Sequence, residues 1–143
     1  MRKFVALVVV VAVGVSAAAA LAASRATVWT AALSSGQEIP KQVVKDASAH
    51  GQFKGTLTGS TLKWKLTFSK LTGPATAAHI HMAGMGKAGA VVVPLCGPCK
   101  ATMSGTSTIS AALKAAFKKH LLYVNVHTAK NPNGEIRGQL AAG

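Results

Sequence analysis

Residues 61 to 68, TLKWKLTF, alternate strictly: Leu62, Trp64, Leu66 and Phe68 fall on one side, and Lys63, Lys65 and Thr67 on the other. A repeat of two puts successive side chains on opposite faces of a strand, so this segment has one buried and one wet face. Just before it, Gly59-Ser60 fits a two-residue hairpin turn with glycine first, joining it to QFKGTL. Further strands are expected at 26 to 33 (ATVWTAAL), 77 to 81 (AAHIH), 90 to 95 (AVVVPL), 106 to 109 (TSTI), 121 to 128 (LLYVNVHT) and 135 to 140 (EIRGQL), with AKNPNG as a hairpin loop between the last two. One short helix is expected over 110 to 119, where Ile109, Leu113 and Phe117 recur at helical spacing and Lys118 and Lys119 suit a carboxyl end. The expected class is therefore all-β with one short helix. GQFKGTL at 51 to 57 and GEIRGQL at 134 to 140 echo one another; equivalent sheet positions or chance similarity between amphipathic strands would each explain it.

Arg2 and Lys3 precede an apolar run from Phe4 to Val15 and small residues ending in Ala20-Leu21-Ala22. This reads as a signal peptide over 1–22, cleaved near Ala22, with a single domain over 23–143. An uncleaved anchor is the alternative, since the apolar character approaches the roughly 18 residues a span needs, but the distal half is alanine-rich and weakly hydrophobic. The expected location is secreted or periplasmic, with no membrane span after cleavage.

The chain holds 16 Lys and Arg against 3 Asp and Glu, a formal net charge of +13. Such a field attracts anionic partners, such as a cell-envelope or matrix polymer. The lysines are scattered between Lys41 and Lys130, which also fits an ordinary solvated surface. With Glu38, Asp46 and Glu135 as the only acids, two-carboxylate glycosidase chemistry has little to work with. A GxSxG elbow, a phosphate-cradling glycine loop and a basic or aromatic nucleic-acid platform are all missing. The balance points to a binding module rather than an enzyme, with no specific nucleic-acid partner.

CGPC at 96 to 99 matches the active site of thioredoxin, which needs a helix after the motif to lower the attacking thiol's pKa. Here KATMSGTSTIS follows and disfavours one. In an exported chain the expected state is a Cys96–Cys99 disulfide closing a local loop, contributing about 2 kcal/mol. A redox-active pair and thiolate metal ligands are the alternatives, and both need a reduced state that export disfavours.

The richer constellation is HIHMAGM at 79 to 85 with YVNVHT at 123 to 128. By strand parity His79 and His81 share a face, and His127 lies opposite Val124 and Val126, alongside Tyr123 and Asn125. If Ile80, Val124 and Val126 face the core, the three histidines face outward and can converge on a metal ion, for which imidazole suits copper, zinc or nickel. Met82 and Met85 are adjacent candidates for a soft fourth ligand, which favours copper. The alternative is that these histidines merely hydrogen-bond their neighbours and the methionines fill gaps. His50 and His120 have no such company.

At these residues the chain resembles the CHRD domain family, named after chordin and found in many bacterial exported proteins. GSTLKWKLTFSKLTGPATAAHIHMAG, AVVVPL and LYVNVHTAKNPNGEIRGQL carry the likeness, over roughly Thr27 to Leu140. It implies an antiparallel β-sandwich of immunoglobulin-like or superoxide dismutase-like Greek-key type, and no catalytic set. CxxC is not part of its general pattern. A fainter likeness, to copper/zinc superoxide dismutase, rests on His79-Ile80-His81 and ends where that family's zinc loop would need more histidines and an aspartate.

Overall fold

The structure, a computed structural model, describes residues 24–42 and 47–143. The leader read at 1–22 and Asp46 lie outside the described residues. The described residues form nine strands: β1 (Thr27–Ser34), β2 (His50–Thr58), β3 (Thr61–Ser69), β4 (Ala75–Met82), β5 (Ala90–Cys96), β6 (Thr102–Thr108), β7 (Leu122–Thr128), β8 (Ile136–Gln139) and β9 (Ala141–Ala142). Among the described residues a single α-helix, α1 (Ala111–Lys118), lies between β6 and β7, and a 3₁₀ turn (Ser35–Gln37) follows β1. No helix among the described residues is long and apolar enough to cross a membrane.

Local chemistry explains the best-read elements. β2 and β3 pair in the register Thr58↔Thr61, and Gly59 takes φ +60 in the turn, a conformation that costs glycine nothing. On β3, Leu62, Trp64 and Leu66 are buried while Lys63 and Lys65 stay in solvent. α1 begins where Ser110 caps it, its side chain accepting from the Leu113 N–H, and ends with Lys118 in the last turn, where the helix dipole favours a cation. Its buried Phe117 packs on Trp29 at 5.0 Å between ring centroids.

All the ladders are antiparallel, in the order β5-β4-β7-β8-β1-β2-β3-β6, with β9 added to β1. The all-β antiparallel fold with one short helix is thus as expected. One continuous sheet curls until its ends, β5 and β6, lie beside one another in a nearly closed barrel. Counting that seam as an adjacency, β4, β5 and β6 run consecutively and β7 returns through α1 to lie beside β4, which is Greek-key order. The core inside holds Leu33, Phe53, Leu62, Leu66, Ile80, Val124, Val126 and Ile136.

β4 and β7 position the histidines. Ile80 pairs with Val124 and Ala78 with Val126, all fully buried in the core, so His79, His81 and His127 point to the opposite face of the sheet, as parity requires. That face was expected to be open to solvent, and it is not. β7 is buried at all seven positions, and His81 and His127 are each only 8% exposed. Hydrogen bonds from the segments 83–89 and 129–134 lie over it, and Glu38, buried beyond the 3₁₀ turn, reaches Asn125.

Candidate metal centre

A strand offers two imidazoles on one face at i and i+2, and a neighbouring strand supplies a third on the same face. His79 and His81 come from β4 and His127 from β7, with ring centroids 5.6, 5.0 and 5.7 Å apart. Each offers a nitrogen within 4.8 Å of the other two, so the cluster could hold a metal ion.

Backbone carbonyls fix two of the tautomers. His81 Nδ1 lies 2.9 Å from the Gly89 carbonyl and His127 Nδ1 3.0 Å from the Pro132 carbonyl. A carbonyl only accepts, so each Nδ1 carries the proton and each Nε2 keeps a lone pair for the cluster, the usual arrangement behind a ligating histidine. His79 Nδ1 donates to His127 Nε2 across 3.2 Å. His81 Nε2 is buried with no partner. An unpartnered buried lone pair is costly unless something occupies the space before it.

Electrostatics keep the imidazoles neutral, the form that binds metal. Burial lowers all three pKa values and is the largest cause in each case. His127 is pushed down to about 4, the Pro132 bond resisting and the neighbouring His79 and His81 adding to the fall. His79 is lowered further by His81, and His81 by Arg137 against the opposing pull of Gly89.

The support around the cluster is polar and buried. His81 stacks on Tyr123 at 4.9 Å with 13° between the planes, and the Arg137 guanidinium sits 3.5 Å from the centre of the Tyr123 ring. The Tyr123 hydroxyl accepts from the Gly89 N–H at 3.1 Å, Arg137 Nη2 donates to the Gly84 carbonyl and Gln139 Nε2 to the Ala83 carbonyl. These bonds pin the 83–89 segment over His81. The other cover is pinned by Glu135, whose carboxylate accepts from the Thr72 N–H, the Thr72 and Thr128 hydroxyls and Asn131 Nδ2 at 2.6 to 3.1 Å. Burial would raise the Glu135 pKa, but those donors outweigh it and hold the group below its ordinary value. Glu38 is the reverse: burial lifts it to about 7, against the lowering pull of Asn125 and Arg137.

The structure brings the three histidines together but not the two methionines. Met82 pairs with Leu122 and shares that residue's face rather than that of His81, and it is 45% exposed. Met85 is 83% exposed, which places its sulfur in solvent. Cys96 and Cys99 form a disulfide, and β6 rather than a helix follows them, so the helix amino terminus that would activate a thiol is missing. His50 bonds Ser48 and Ser69, and His120 lies edge-on to Trp29. Glu38, Arg137 and the Gly89 and Pro132 carbonyls were not foreseen. Glu38 and Glu135 did carry one signal, as two of only three acids in so basic a chain.

Fold and site together define a small antiparallel β-module with a covered three-imidazole cluster on the outer face of its sheet. The chain belongs to the CHRD domain family, whose family model matches residues 29–140. No curated protein and no solved structure matches it.

Proposed function

We propose that the chain is an exported CHRD binding module that takes up one copper ion through His79, His81 and His127. The observation that carries this reading is the buried, unpartnered His81 Nε2, in a cluster where carbonyls hold His81 and His127 in the tautomer that turns Nε2 toward the other rings. Neutral imidazoles support it, because no proton has to leave before a metal enters. Among divalent first-row ions copper binds nitrogen sites most tightly, and that order favours it over zinc. Water or a partner's ligand takes the fourth position, since Met82 and Met85 stand in solvent. The test is calorimetric titration with Cu(II), Cu(I) and Zn(II) of the parent and of His127→Ala. One-to-one binding by the parent, tightest for copper and weakened at least ~100-fold in the variant, is expected. Equally weak binding by both proteins would sink the proposal.

A second reading, an envelope or matrix module acting through its cationic surface, has one observation in its favour. Lys54 and Lys65 face each other directly across β2 and β3, with Lys63 beside them on the same wet face. Like charges in that position repel, and a polyanion laid across the strands relieves the repulsion. Salt-sensitive retention on an anionic polymer, lost in a Lys54→Ser/Lys65→Ser variant and kept in His127→Ala, is its signature.

A further inference from the structure

On the other side of β1 from the histidines, a cleft opens between α1 and the β1–β2 ladder. Its volume is about 610 Å³, within the range of small-molecule sites. Trp29, Leu57 and Phe117 supply apolar surface, and Arg25, Lys114 and Lys118 supply three cations, with no acid among the described lining residues. Lys114 is not drawn away by a carboxylate; its Nζ donates to the Ser60 hydroxyl at 3.1 Å. The Trp29 indole N–H is buried without an acceptor, so Trp29 meets the cleft as apolar ring surface. Nothing in the metal reading uses this region.

We propose that the cleft binds a fatty-acid-type carboxylate, with its hydrocarbon tail against Trp29, Leu57 and Phe117 and its carboxylate among Arg25, Lys114 and Lys118. Charge complementarity selects the head group: an anion meets three cations and no competing acid, whereas a cationic amphiphile of equal length meets only repulsion. The apolar floor selects a tail, because removing hydrocarbon from water is the non-directional part of the attraction. A small inorganic anion gains the first contribution and not the second.

The experiment is an NMR titration of the purified protein with decanoate, with decyltrimethylammonium and inorganic phosphate as comparison ligands. Decanoate should bind saturably and shift the Trp29 indole N–H and the amides of α1 and Leu57. Lys114→Gln/Lys118→Gln should weaken it about tenfold. Ala115→Trp, which fills the cleft from an exposed helix position, should abolish it while leaving copper binding intact. Decyltrimethylammonium or phosphate binding as tightly as decanoate, or decanoate affinity unmoved by both variants, would overturn the proposal.

Discussion

The echoing segments GQFKGTL and GEIRGQL flank the same strand: β2 pairs with one side of β1 and β8 with the other. Their inward residues do the same work, with Phe53 and Ile136 buried in the core and Leu57 and Leu140 beside them. Their second glycines are both crowded, Gly55 by a side-chain tip that can move and Gly138 by backbone that cannot. A Cβ at Gly55 would lie 2.8 Å from Leu62 Cδ1, and one at Gly138 would lie 2.5 Å from the Ala32 carbonyl oxygen. The outward base is where they part. Lys54 stands in solvent opposite Lys65, while Arg137 is 2% exposed and stacked over Tyr123. Two strands with one local pattern thus acquire opposite second faces, and segments remote in sequence decide which is wet. Residue type follows: a planar guanidinium can be buried against an aromatic face, and a strongly hydrated ammonium cannot without large cost.

The largest expected effect lies on the buried side. Arg137→Ala removes the cation over Tyr123, the donor to Gly84 and the charge that faces Glu38. It should cost about 4 kcal/mol in urea unfolding, the combined magnitude of a desolvated cation–π contact and a charge-assisted hydrogen bond. Arg137→Lys should recover little of this, because an ammonium cannot reproduce the stacked fork. A cost near zero for both variants would mean that Arg137 is no more integrated than Lys54, and the contrast would fail.

The sequence made much of this legible. Each strand segment that alternated became a strand, and Ile109, Leu113 and Phe117 at helical spacing with Lys118 and Lys119 behind them marked α1 to within a residue or two. β6 begins four residues before the TSTI run, because Thr102, Met103, Ser104 and Gly105 pair with β3 without any hydrophobic alternation to announce it. The convergence of His79, His81 and His127 was legible because strand parity is rigid. Their cover was not, since the groups that orient them are the carbonyls of Gly89 and Pro132, and backbone atoms leave no signature in residue type. The methionines misled for a related reason: nearness along the chain suggested nearness in space, but Met82 has the parity of Ile80 and Met85 sits in an exposed turn.

A pH series sharpens the comparison at intermediate magnitude, because the buried face contains groups shifted in opposite senses. Folded Glu38 holds its proton up to about pH 7, whereas the unfolded chain releases it near 4.5. The folded state therefore binds more protons between those values, and the Glu38 contribution makes stability fall as pH rises through that window. Folded His127 refuses a proton until about pH 4, whereas the unfolded chain accepts one near 6.5, so its contribution makes stability fall as pH drops through that window. His79 and His81 add to the acid-side loss. Over the shared range the Glu38 and His127 trends oppose one another, so the parent's dependence is muted. Glu38→Gln removes one trend and should leave a steeper acid loss, changing the difference in unfolding free energy across pH 4.5 to 7 by about 3 kcal/mol. A variant profile parallel to the parent's would show that Glu38 is not held protonated in the fold.

The smallest expected effect lies on the exposed side of the echo, and its sign is the informative part. Lys54 and Lys65 are directly opposed on a solvated face, so Lys54→Ser removes a repulsion and should stabilise the fold slightly, by less than about 0.5 kcal/mol. The gain should shrink as salt is raised, because exposed charges at that spacing are screened once the Debye length falls to about 3 Å in 1 M salt. Unfolding curves at low and high ionic strength read both points. A loss comparable to that of Arg137→Ala, insensitive to salt, would place Lys54 in a structural network of its own, and the two faces of the echo would no longer differ in kind. A small salt-dependent gain means that the fold keeps this lysine pair at a cost to its own stability, which is what the proposed cationic-surface reading requires of the wet face of β2 and β3.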